Sequence, residues 1–343
     1  MKKLSALKPN IVDVARQAGV STATVDRVLN NRPGVHPRTQ THVFQIAEEL
    51  GYIAHAPGGG QFELTFDFIM PGENNAFMQR LGEELLQLSL RHARLPKIRL
   101  HWLDDYAPEK VTARIEKVRH DTQGIGLIAL DNIGVRENLL TLIASKIPVI
   151  TLATDISGIP HQGYVGTDNR MNGRLAGHLI GRFLDKSPHN IALFSGALAY
   201  RGHEEREMGF RHILADEYPH LTLLRTQEVR ENDDMAFQIL SDMVRSEAKF
   251  SAVYSIGYGS MGIARALVEM GLARDVVFVA HELHPESRKY LIDGTIDALI
   301  DAHPRIMAEQ AIERLVAAAT SQPLAPLMPT DTRIILKENV PAK

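Results

Sequence analysis

The chain has 343 residues, 44% of them hydrophobic and 23% charged, with a formal net charge of −3 and no cysteine. That length allows two or three globular domains of ordinary composition, and the missing cysteines exclude disulfides, thiolate metal sites and cysteine nucleophiles. No stretch of 18 or more apolar residues is present, so no membrane partner is expected. The start MKKLSALKPNIVDV has neither the continuous apolar core nor the small-residue cleavage site of a secretory signal, so a cytoplasmic location is expected.

Residues 10–52 read NIVDVARQAGVSTATVDRVLNNRPGVHPRTQTHVFQIAEELGY. Ile11, Val14, Ala15 and Ala18 recur at the spacing of one buried helical face. Asn10 precedes that face as an N-cap, with Asp13 three residues on. Gly19 ends the helix, because glycine takes a left-handed conformation without strain. Ser21 is placed to cap a second helix whose Val25, Val28 and Leu29 face inward. Two short helices joined by a tight turn predict a helix-turn-helix, whose second helix enters the major groove of DNA. A third helix follows Pro37, with Val43, Ile46, Ala47 and Leu50 on one face and Gly51 after its end. An inert three-helix bundle would share this periodicity, but charge argues for a nucleic-acid partner. Residues 1–56 hold seven basic and four acidic side chains, a net of +3, which leaves −6 for the remainder. A basic head on an acidic body suits phosphate contact at one end only.

The run DVARQAGVSTATVDRVLN, the Pro-Gly-Val turn and the helix ending EELGY resemble the DNA-binding head of the lactose/galactose repressor (LacI/GalR) family. The resemblance is dense over some forty residues and continues more weakly to the C-terminus. It implies a transcriptional regulator, by default a repressor, acting as a homodimer on an approximately palindromic double-stranded operator. Its DNA-binding set falls on Asn10, Ser21, Thr22, Ala23, Thr24, Asp26, Arg27 and Asn30. Asp26 departs from the family, which usually has Ser there. Residues 57–63 are a glycine-rich linker, since Gly58–Gly60 lose too much backbone entropy to sit inside a helix or strand. The hinge helix that the family carries in this region lacks its usual residues here.

Beyond the linker, strand and helix patterns alternate. Strand-like runs at 64–70, 98–103, 125–130 and 148–152 are separated by helical stretches at 77–92, 108–119 and 136–145. The pattern restarts after Val165, with helices at 172–184, 204–215, 234–246, 260–270 and 285–293 between strands at 190–195, 221–228, 252–256 and 276–280. Such alternation predicts an α/β body with doubly wound parallel sheets. The resemblance implies two lobes of the type I periplasmic-binding-protein kind, preceded by the all-α head at 1–56. In that arrangement lobe one takes about 64–165 and 296–325, including the helix 304–319. Lobe two takes 166–295 and 326–343, closed by a strand at 333–337.

Ligands of open α/β sheets bind beyond the C-terminal strand ends. Asn75 and Phe77, in PGENNAFM after the first strand, offer an amide for hydroxyls and a ring for the C–H face of a sugar. The resemblance adds Asp131 at the next strand lip, Asn169 after Asp168, Arg206 in HEEREMGF, Tyr258 after a lobe-two strand, and Glu282 where the family commonly has Asp. Arg206 can fork onto vicinal hydroxyls or a carboxylate. His281 and His303 are further candidates, and Ala302 stands where relatives often have Gln. No catalytic group or cofactor is expected: GxxxxGK[ST], HExxH and GxSxG are all missing. The fifteen His show no metal-ligand spacing. The expected function is a sequence-specific DNA-binding regulator controlled by a small-molecule effector, a sugar or polyol, bound between the lobes. The alternative is an exported solute-binding protein for sugars, against which the helix-turn-helix argues.

Overall fold

The computed structural model describes residues 10–29, 35, 39, 40, 42, 43, 46, 47, 50, 52, 64–72, 75–90, 96–196 and 199–341. Packing divides the chain into two compact units, Met1–Glu63 and Leu64–Lys343.

In the first unit, helices run over Ile11–Ala18 and Thr22–Leu29. Asn10 caps the first by accepting from Val12 N at 2.8 Å and Asp13 N at 3.3 Å, while Asp13 accepts from Asn10 N at 3.0 Å. This reciprocal box satisfies donors the helix leaves open. Gly19 closes the helix at φ 65°, in the left-handed region. Ser21 Oγ accepts from Thr24 N at 3.1 Å. Val14, Ala15, Ala18, Val25, Val28, Val43, Ile46 and Ala47 form one small core, so the three apolar faces read from the sequence meet. The glycine-rich linker lies outside the described residues.

The second unit carries two sheets. In the first, strands β1 (Thr65–Pro71), β2 (Lys97–Leu103), β3 (Gly124–Leu127), β4 (Val149–Leu152) and β5 (Tyr164–Val165) lie in the order β2-β1-β3-β4-β5. All their pairings are parallel. The second sheet holds β6 (His189–Ser195), β7 (Leu221–Leu223), β8 (Gln227–Glu228), β9 (Ala252–Ser255), β10 (Val277–His281), β11 (Ala298–Asp301) and β12 (Arg333–Ile335). Its order is β12-β11-β10-β9-β6-β7, with β8 also on β6. Only the β11–β12 pairing is antiparallel. Helices cover both faces, which is why the strands read as continuous apolar runs rather than alternating ones.

Two expectations are corrected. The strand expected over 221–228 is broken into β7 and β8. Residues 296–301 do not return to lobe one: β11 pairs β10 and β12 in the second sheet, so the crossing follows Asp301. The helix Pro304–Ala319 then packs Met307, Ala308, Ala311, Ile312 and Leu315 into the core of the first sheet.

Candidate functional site

The strand ends of both sheets converge on one cavity of about 780 Å³, mouth included. Asn75, Phe77, Asn169, Arg206, Tyr258 and Glu282 line it together, as does His281. Six of the seven side chains proposed from sequence are thus brought to one place. Asp131 is not among them: its carboxylate accepts from Arg136 Nε at 2.5 Å and Ser157 N at 3.2 Å. The Arg136 hydrogen bond holds that carboxyl below the usual range. His303 also lies off the wall. Ala302 is buried in the lobe-one core.

Each lining group is fixed by its own element. Asn75 Oδ1 caps the helix Ala76–Leu90 through Phe77 N at 3.0 Å and Met78 N at 3.2 Å. Its amide donates across the cavity to Glu231 Oε2 at 3.3 Å. Asp168 caps the helix Asn169–Phe183 through Met171 N at 2.8 Å. Asn169 then accepts from Arg206 Nε at 2.9 Å and donates to Ala153 O and to Tyr164 Oη. Arg206 also donates to Ile256 O at 2.7 Å. Two helices approach closely enough at this point that a Cβ on Gly173 would overlap the Arg206 carbonyl. Tyr258 is hydrogen-bonded to Asp233, and burial raises its phenol above the ordinary range.

Sequence reasoning missed Tyr200, His203, Glu231, Asp233 and His284, all on the wall. Glu231 lies in the run RENDD, which reads as a solvated acidic turn. In the fold its side chain is 6% exposed, and burial pushes its carboxyl up to about 7. Burial, with Asp301 nearby, pushes Glu282 up to about 8. His284 is pushed down to about 4 by burial and Arg80, and His281 well below its usual value by burial. Three buried polar atoms of the wall have no hydrogen-bond partner among the described residues: Tyr200 Oη, Glu231 Oε1 and His281 Nδ1. Ala153, Glu231 and Glu282 also take positive φ, at 57°, 55° and 67°. Strain and unpaired groups of this kind persist at ligand sites.

In the head, Thr22, Ala23 and Arg27 stand exposed on the second helix, opposite buried Val25 and Val28. Asn10, Ser21 and Thr24 use their side chains for capping, Ser21 Oγ and Thr24 Oγ1 being 2.9 Å apart. Asp26 is half-buried. Asn30 lies outside the described residues.

Residues 10–55 match the bacterial regulatory proteins of the lacI family, and residues 66–323 match a periplasmic binding protein domain. This chain belongs to the LacI family of DNA-binding transcriptional regulators. Catabolite control protein A of Priestia megaterium is 25% identical over 272 residues, covering 76% of this chain and 78% of that one. The HTH-type transcriptional regulator DegA of Bacillus subtilis is 27% identical over 216 residues, 61% of this chain and 62% of that one. The body shares its fold with GanP, a glucose-galactose binding protein from Geobacillus stearothermophilus, at a TM-score of 0.73 and 18% identity, covering 81% of this chain and 99% of that one. These LacI-family relatives are regulators, and the body's neighbours are binding proteins. No helix among the described residues is long and apolar enough to cross a membrane.

Proposed function

We propose that this regulator's operator affinity is set by a small polyhydroxylated molecule, a sugar or polyol, held in the cavity between the two sheets. The observation that carries the reading is the set of buried, unpartnered polar atoms on the wall: Tyr200 Oη, Glu231 Oε1 and His281 Nδ1. A buried polar atom without a partner costs free energy that a ligand's hydroxyls would recover. Phe77 supplies an apolar face beside them, and the sugar-binding character of the fold neighbour GanP agrees with this chemistry. Asn75, Phe77, Asn169, Arg206, Tyr258 and Glu282 serve as the effector set, Asn169 chiefly by holding Arg206.

The head reads DNA through Thr22, Ala23 and Arg27, the latter by a bidentate contact to guanine. Asn10, Ser21 and Thr24 set the ends of the helices that present them. The protein works as a cytoplasmic homodimer on a roughly palindromic operator, and it represses. The reading is tested by following a fluorescent operator by anisotropy with the full-length chain while sugars and polyols are added singly. One of them is expected to shift operator affinity. If none does, and none raises the protein's melting temperature, the reading fails.

A further inference from the structure

Acidic side chains outnumber basic ones on the cavity wall. Glu231, Asp233 and Glu282 line the cavity, and Arg206 is the one Lys or Arg among the described residues of its wall. That guanidinium is already committed to Asn169 and to the Ile256 carbonyl. Arg80, near Glu282, is engaged by the Leu283 carbonyl and by Asp301. His281 and His284 are held neutral by burial. A ligand carboxylate would therefore meet acidic neighbours and a guanidinium that already serves two protein acceptors. Glu231 Oε1 is the sharpest case. Its partner oxygen Oε2 has Asn75, but among the described residues Oε1 has the His203 ring at 3.9 Å and no hydrogen bond.

The fold keeps space for this carboxylate. Glu231 sits at φ 55°, its backbone N–H donating to Gly196 O at 3.0 Å. A Cβ on Gly196 would overlap Glu231 Oε1, and a Cβ on Gly257 would crowd the His203 ring beside it. Two bare backbone positions and a left-handed turn thus make room for a buried acid in the cavity wall. An ammonium is the group that suits it best: three donors, no acceptor and a compensating charge.

Building on the polyhydroxylated-ligand reading above, we propose that the effector carries a protonated amine among its hydroxyls, as an amino sugar or amino alditol does, and that Glu231 Oε1 receives the ammonium. Neutral sugars of the same shape bind more weakly, and sugar acids weakest.

The test is calorimetric titration of the full-length protein with matched triads in the gluco, galacto and manno series, each an amino sugar, its parent sugar and its uronate. The tightest ligand is expected to be an amine, exceeding its parent by roughly ten- to a hundredfold, the worth of a charge-assisted hydrogen bond. Glu231→Gln, with unchanged circular dichroism, should erase the amine's advantage, bringing the ratio of amine to parent affinity to about one. In the wild type the amine's affinity should also fall from about pH 7.5 to about pH 5.5, as Glu231 gains a proton that an ammonium must displace. That second measurement holds even if the variant fails to fold. The groups facing Glu231 across this range are His203, Asn75, Asp233 and Arg206. A parent sugar or uronate that binds tighter than its amine, or an amine whose affinity ignores both Glu231→Gln and pH, overturns the inference and leaves the sugar reading standing. No binding by any triad or by the alditols overturns both.

Discussion

Glu231 and Arg27 show how differently two functional residues are written into a chain. Arg27 is legible because everything around it is local: Val25 and Val28 are buried on one side of an eight-residue helix, so residue 27 must face outward. Replacing Arg27 by Ala should abolish operator selectivity while the melting temperature stays within about 2 °C, because no core contact is lost. Retained selectivity in a binding-site selection assay would refute the assignment. Glu231 is illegible because its burial depends on Gly196 and Gly257, which come from strand ends far away in sequence. Its raised carboxyl also makes a thermodynamic prediction. The folded state holds a proton on Glu231 up to about pH 7, whereas the unfolded chain loses it near the ordinary value of 4.5. Stability from this group is therefore complete below about pH 4.5 and declines as pH rises toward 7, by at most about 1.4 kcal/mol per pH unit. Glu231→Gln should gain stability relative to the wild type over that window in ligand-free thermal melts. Parallel wild-type and variant curves would show that the carboxyl does not titrate there.

At the level of elements, most helices and strands were readable because apolar period and capping residues agree. Asn10, Asn132, Asp168 and Asn232 each cap the helix that follows them. Asn10→Ala should cost about 1 kcal/mol of head stability, read as a lower midpoint in urea; no change would mean the box contributes nothing. Strand β11 escaped because ALID is short and ends in an acid, which reads as a loop. Its Asp301 is instead fully buried, accepting from Leu283 N at 3.1 Å and from Arg333 at 2.8 Å. Those partners lie 18 and 32 residues away in sequence, so no local pattern announces them. Glycine also acts between elements. Gly173→Ala would push the helix Asn169–Phe183 off the Arg206 carbonyl. It should lower the melting temperature and weaken effector response together, whereas a tolerated substitution would show that this approach is not needed to hold Arg206.

Across the body, the two halves are tied together by side chains, one of the ties crossing the cavity itself. Asn75 reaches Glu231, Arg80 reaches the Leu283 carbonyl and Asp301, and Arg201 donates to Ser157 Oγ at 2.5 Å. The sheets are therefore held close, and a ligand that replaces or reinforces these ties has the means to bias the body between states. A ligand can shift operator affinity only by its difference in affinity for those states. The most direct test is an operator titration by fluorescence anisotropy, run with and without the bound sugar or polyol, comparing wild type with Asn75→Ala and Glu282→Ala. Without ligand all three should bind the operator within about twofold of one another, and only the wild type should respond at the wild-type ligand concentration. Variants that bind the operator normally and respond to the ligand as the wild type does would contradict the assignment of this cavity as the control site.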